Sequence, residues 1–91
     1  MYRIKAARSR VKQQLKRIPN LDLERIRTAV NVLSNEPRPM GAIQLEKDIY
    51  RIRIGNYRVI YKIYEDEKLI LIGRVIRRSE GTYKRISDLF D

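Results

Sequence analysis

Two stretches of alternating residues, Tyr50-Arg51-Ile52-Arg53-Ile54 and Tyr57-Arg58-Val59-Ile60-Tyr61-Lys62-Ile63, flank the dipeptide Gly55-Asn56. A two-residue connection whose first position is a glycine at a positive backbone angle closes an antiparallel hairpin and fixes its register. Counting outward from the turn sets Ile54 opposite Tyr57, Arg53 opposite Arg58 and Arg51 opposite Ile60. Side chains two apart share a face of a strand. Tyr50, Ile52, Val59, Tyr61 and Ile63 therefore fall on one side and Arg51, Arg53, Arg58 and Lys62 on the other. The first set reads as core. The second places like charges directly opposite one another, which costs about 0.2–1 kcal/mol per pair, so stability alone does not explain it.

The rest of the chain supplies the elements that such a hairpin needs. Tyr2 to Ile4 reads as a short first strand, and Ala7, Val11, Leu15 and Ile18 then recur along one helical stripe. Pro19-Asn20 interrupts the pattern, which resumes with Leu23, Ile26, Val30 and Leu33 and stops near Asn35, ahead of Pro37 and Pro39. The result is a helical hairpin over about 6–35, whose apolar stripes need either each other or a sheet to cover them. Strands are expected near 43–46, 49–54, 58–64 and 69–76, giving a sheet over about 43–78. The polar turn Glu65-Asp66-Glu67-Lys68 precedes Leu69-Ile70-Leu71-Ile72, a run without alternation that suggests a strand in mid-sheet, buried on both faces. A C-terminal tail follows over about 83–91, and its segment Ile86 to Phe90 is expected to pack on the sheet and to give way when a partner binds.

With 91 residues, 43% of them hydrophobic, the chain is expected to form one domain spanning 1–91. The fold class is α+β: two N-terminal helices on a twisted, mostly antiparallel sheet of four to five strands. There is no cysteine and no histidine, which removes disulfides, thiolate metal sites and the commonest general base. Phosphate-cradling glycine loops, zinc-finger spacings and a serine nucleophile elbow are absent too. Glu46 and Asp48 read as surface-edge residues rather than metal ligands, and neither a metal nor a cofactor is expected. No run approaches the roughly 20 apolar residues of a membrane span, and the N-terminal residues lack a signal peptide's apolar region. A cytoplasmic location without membrane attachment is expected.

A formal net charge of +10 calls for a polyanion, and nucleic acid, an anionic membrane or an acidic protein would each satisfy it. Symmetric counting around the acidic turn places Val75 opposite Arg58 and brings Arg77 and Arg78 to the hairpin's basic patch. Five guanidinium groups would then converge, although a register shift of one residue exchanges Arg77 for Arg78. Arginine suits multidentate grip on phosphate. Lys62, Arg77 and Lys84 are further candidates for RNA contact, and Tyr83 for stacking on a base.

The run Tyr50 to Tyr61 resembles the central hairpin of the RelE/ParE toxin superfamily, which commonly reads Tyr-Arg-Ile-Arg-x-Gly-x-Tyr-Arg-Val-x-Tyr. Arg74-Val75-Ile76-Arg77-Arg78-Ser79-Glu80-Gly81-Thr82-Tyr83 is similar to its closing motif. The resemblance implies a RelE-like fold and the toxin half of a type II toxin–antitoxin pair. RelE-like members are ribosome-dependent endoribonucleases that cut messenger RNA in the ribosomal A site by metal-independent attack of a 2′-hydroxyl on the adjacent phosphate. By matching position, Arg58 and Arg78 would stabilise transition-state charge, Arg51 and Arg53 would position the backbone, and Tyr83 would act as base or stacking group, with Glu80 as a substitute. RelE proteins often carry Lys at the positions of Arg51 and Arg53, and many relatives have His where Arg77 stands. Implied partners are a cognate antitoxin, through which the complex is expected to bind operator DNA, and the ribosome with its messenger RNA. A ParE-like inhibitor of DNA gyrase, which generally lacks the converging Arg and Tyr set, and a non-catalytic RNA-binding module are the alternatives.

Overall fold

The computed structural model describes residues 1–79 and 85–90. Its strands fall where β-branched and aromatic residues alternate with charge: β1 (Arg3–Ala6), β2 (Ile43–Glu46), β3 (Ile49–Ile54), β4 (Tyr57–Tyr64) and β5 (Leu69–Arg77). Helices α1 (Ser9–Lys16) and α2 (Asn20–Asn35) lie between β1 and β2, and a 3₁₀ turn, Ile86–Phe90, follows the sheet. Strand order is β1-β5-β4-β3-β2, antiparallel throughout except that β1 runs parallel to β5. The expected α+β class holds, with five strands.

The central hairpin has the predicted register: Ile54 pairs with Tyr57, Arg53 with Arg58 and Arg51 with Ile60. Gly55 takes φ +58, a conformation glycine reaches without the steric cost a Cβ would add. Strand β5 lies in mid-sheet, between β1 and β4. Its burial is asymmetric, however: Ile70 and Ile72 are fully covered, whereas Leu69 and Leu71 are half-buried. The expectation of full cover on both faces is corrected accordingly.

The register of β5 on β4 departs from symmetric counting. Tyr61 pairs with Ile72 but Ile60 pairs with Arg74, so Gly73 has no partner and the ladder shifts by one. Arg58 consequently faces Ile76, not Val75. An unpaired residue of this kind is a β-bulge, and a glycine inside a strand often marks one.

The helices cover one face. Val11, Ile18, Ile26 and Leu33 pack with Ile52, Val59, Tyr61, Ile63, Ile70, Ile72 and Val75 in the main core. Neither helix has a side-chain hydrogen bond at its N-cap, so burial rather than capping holds them. Past Ile72, β5 has no strand on its outer side, and α1 takes over there: the Val75 N–H donates to Gln14 Oε1 at 2.9 Å. The buried Tyr61 hydroxyl donates to the Pro37 carbonyl at 2.7 Å, which pins the proline loop to the sheet and supplies the partner a buried hydroxyl requires. No helix among the described residues is long and apolar enough to cross a membrane.

Candidate nucleic-acid interface

The sheet's second face carries the candidate site. Pairing and pleat bring Arg51, Arg53, Arg58 and Lys62 to that face. The bulge adds Arg74, which pairs with Ile60 and so shares its side. Two ion pairs occur among the described residues, Arg27–Glu24 at 3.7 Å and Arg38–Glu65 at 2.7 Å, and neither involves Arg51, Arg53 or Arg58. Their charge is therefore available to a ligand. Arg53 is exposed and Arg51 and Arg58 half-buried, so the patch combines an open guanidinium with two held against the sheet.

An apolar patch interrupts this face. Ile49 and Ile60, 2% and 0% exposed, share it with the arginines by register and form a small second core with Leu89. The 3₁₀ turn thus sits on the sheet, as its apolar residues led us to expect. Arg8 Nη2 donates to the Asp88 carbonyl at 3.0 Å and ties it down. Gly73 lies beneath: a Cβ there would stand 2.6 Å from the Phe90 ring, so only a glycine permits this approach. Lys62 shares this face and lies diagonal to Arg51, since Ile49 pairs with Lys62 and Arg51 with Ile60. It stands four residues from Arg58, about 13 Å at roughly 3.3 Å per residue, with Ile60 under the turn between them, and its ammonium lies 5.1 Å from the Tyr64 ring centroid.

The remaining two guanidinium groups are at the end of the sheet. Arg77 pairs with Tyr57, which puts it on the helix-side face, and the Arg78 N–H donates to the Asn56 carbonyl at 2.8 Å, holding that residue at the hairpin turn. Both are exposed. The expected convergence of five guanidinium groups is thus corrected to three on one face and two around the hairpin turn, because the bulge displaces the end of β5 by one residue. Arg77 and Arg78 line a polar pocket of about 430 Å³ with Pro19, Asp22, Asn56, Tyr57 and Ser79.

Sequence reasoning missed Asp22 as a lining residue of this pocket. Asp22 sits in the first turn of α2, where an acidic side chain complements the helix dipole, and only the return of the chain from β5 places arginines beside it. Arg74 was missed as a face residue for want of the bulge, of which Gly73 was the available signal. Glu80, Tyr83 and Lys84 lie outside the described residues. Glu46 is the exposed last residue of β2, paired with Ile49, and Asp48 lies in the turn, where it adopts φ +63 and its carbonyl accepts the Ile63 N–H at 2.8 Å.

Comparison with known proteins agrees with the sequence resemblance. The family model described as ParE toxin of type II toxin-antitoxin system, parDE, matches residues 5–81. A chain of Methanocaldococcus jannaschii that carries the name toxin RelE1 is 32% identical over 80 residues, covering 82% of this chain and 88% of that one. Among solved structures, the archaeal RelE-RelB complex from Pyrococcus horikoshii superposes with TM-score 0.75 at 29% identity, over 88% of this chain and 98% of its counterpart. The isolated E. coli RelE toxin superposes with TM-score 0.76 over 97% and 94% of the two chains; at 14% identity, that likeness concerns the fold. Fold, hairpin and relatives concur: this chain belongs to the RelE/ParE superfamily of toxins of type II toxin–antitoxin systems.

Proposed function

We propose that the protein is a ribosome-dependent endoribonuclease that cuts messenger RNA in the ribosomal A site and so arrests translation. The observation that carries this reading is the face bearing Arg51, Arg53 and Arg58, whose charges no carboxylate among the described residues neutralises. The RelE names of its relatives support it.

In the proposed reaction the 2′-oxygen of one nucleotide bonds to the adjacent phosphorus as its proton leaves. The bond from phosphorus to the 5′-oxygen breaks, that oxygen takes a proton, and a cyclic phosphate remains. Guanidinium groups stabilise the doubly charged intermediate well but do not exchange protons near neutral pH. Arg58 and Arg78 are assigned to charge stabilisation, Arg51 and Arg53 to holding the backbone, with Arg77, Lys62 and Lys84 as outlying RNA contacts and Tyr83 as base or stacking group. So sparse an acid–base set leaves much of the rate to orientation of the RNA, which the ribosome would supply. A cognate antitoxin, as in the RelE-RelB complex of P. horikoshii, is the neutralising partner, and its binding would displace the seated 3₁₀ turn.

The test is primer-extension mapping of a message translated in a reconstituted system, beside the same message without ribosomes. New 5′ ends within codons, seen only with ribosomes and lost on Arg58→Ala with Arg78→Ala, are expected. The ParE name of the matching family model favours a second reading, inhibition of DNA gyrase. Intact message together with arrested supercoiling would select it, whereas intact message bound without either effect would leave an RNA-binding module.

A further inference from the structure

The basic face continues past the 3₁₀ turn to the corner of the sheet made by β1, β5 and β4. Arg3 and Lys5 of β1 pair with Leu69 and Leu71 of β5, which pair in turn with Tyr64 and Lys62 of β4. Directly paired residues share a side of the sheet. Ile4 and Ala6, alternating with them, pack against the helix-side core, so all of these residues stand on the side of Arg51 and Arg58. They form two rows, Arg3-Leu69-Tyr64 and Lys5-Leu71-Lys62, each about 10 Å across at the usual strand spacing.

The corner has a floor and a rim. Leu69, Leu71 and Tyr64 are half-buried, and Arg3 and Lys5 are exposed beside them. The Lys62 ammonium lies 5.1 Å from the Tyr64 ring centroid, so charge and aromatic surface are presented together. Neither ion pair among the described residues includes Arg3, Lys5 or Lys62. In the adjoining turn, Glu65 is engaged by Tyr2 and Arg38. Glu46 shares the face but lies two strands from Lys62, about 10 Å away. Basic residues on an edge strand guard a sheet against unwanted pairing. That accounts for β1, but not for Lys62, which is on an interior strand.

We propose that this corner is a second contact for single-stranded RNA, with a base laid on Tyr64 and the two leucines and its flanking phosphates held by Arg3, Lys5 and Lys62. An aromatic and apolar floor accepts a base of any identity, and the cations around it take the backbone. Lys62 lies diagonal to Arg51, so positive charge runs on from the hairpin and one strand can engage both patches. This continuity with the arginines assigned to RNA, together with the ring beside a cation, favours RNA over an acidic protein. The inference rests on RNA as the ligand of this face and not on its cleavage. It extends the site to nucleotides away from the scissile phosphate and gives the protein a hold on message that is independent of base sequence.

The experiment follows binding of a labelled oligouridylate of about ten nucleotides by fluorescence anisotropy across a salt series. The β1 double variant, Arg3→Gln with Lys5→Gln, removes two exposed charges from the corner. A charge-matched control, Arg10→Gln with Lys12→Gln, removes two from the exposed face of α1. The β1 variant is expected to bind at least tenfold more weakly, with the slope of log affinity against log salt flattened by about 1.4 for two lost phosphate contacts. The control is expected to keep the parent's slope. Tyr64→Leu, its fold verified by its unfolding midpoint, should lose at least fivefold in affinity with the slope intact, because the ring is lost and the charge kept. Equal effects of the two double variants, an unchanged slope in the β1 variant, or a parent that binds no RNA would each overturn the proposal. So would a poly-glutamate peptide that binds the parent as tightly as RNA and is lost on the same substitutions. Uncut message in the reconstituted system, with these binding effects intact, would remove the nuclease reading and leave this one standing. Cleaved message, with the β1 variant binding like the parent, would do the reverse.

Discussion

The two faces of the same sheet are built on opposite terms. On the helix side, Tyr61, Val59, Ile63 and Ile70 are fully enclosed with Val11 and Leu33, and burial accounts for these positions. On the other side Arg53 and Arg58 stand directly opposite one another, with a short apolar strip around Ile49 and Ile60 covered by Leu89. One strand serves both, because alternate residues answer to different neighbours. Stability is thereby concentrated on one face, leaving the other free to carry charge that does nothing for the fold.

Substitutions should separate the faces sharply. The largest effect is expected on the helix side: Leu33→Ala leaves a cavity in a fully enclosed site and should cost about 2–5 kcal/mol. Urea titration with an unchanged slope checks this. Gly73→Ala comes next, since the added methyl meets the Phe90 ring, and overpacking typically costs about 1–3 kcal/mol. Faster amide exchange over the 3₁₀ turn, ahead of the rest of the sheet, would show that the turn lifts first. A global loss of protection would instead mean that this cover is integral to the core.

Arg58→Gln should act in the opposite sense. Removing one of two facing like charges is expected to leave stability unchanged or raise it by about 0.2–1 kcal/mol. RNA affinity should fall, and the slope of log affinity against log salt should flatten by about 0.7 for one lost phosphate contact to single-stranded RNA. A destabilised Arg58→Gln with unaltered salt dependence would break the comparison.

The smallest effect belongs to the exposed Glu65, which lies outside both faces. The hydroxyl of Tyr2 donates to Glu65 Oε2 at 2.5 Å, and the Arg38 guanidinium is 2.7 Å from Oε1. The Tyr2 hydrogen bond, followed by that from Arg38, holds the carboxyl below its ordinary value. A depressed folded-state pKa means stability present above the unfolded value and lost as pH falls through the folded one. Thermal midpoints recorded through the acid range should therefore drop less in Glu65→Gln than in the parent.

How much was legible follows from how local each feature is. Gly55-Asn56 and its flanking alternation specify pairing within a dozen residues, so the register of β3 on β4 and the division into apolar and basic faces could be read directly. The helical stripes were equally readable, Val11, Ile26 and Leu33 all reaching the core. The bulge was less so. Gly73 signalled it, but the shift that sets Ile76 against Arg58 occurs where the Phe90 ring closes on Gly73, a contact between segments far apart in the chain. Ile60 was placed opposite Arg51 by counting, yet its burial required a cover that pairing rules do not supply.

The sequence by itself determined the hairpin, the apolar stripes, the surplus of positive charge and the family, because turn chemistry, periodicity and composition act over a few residues or over none. Tertiary structure decided the parallel placement of β1 against β5 and the seating of the 3₁₀ turn across the basic face. It also decided the meeting of Asp22 with Arg77 and Arg78 and the gathering of Lys5 and Lys62 on either side of Leu71. Each joins segments far apart in the chain, and such contacts are selected by the packing of the whole domain rather than by the local preferences of either partner.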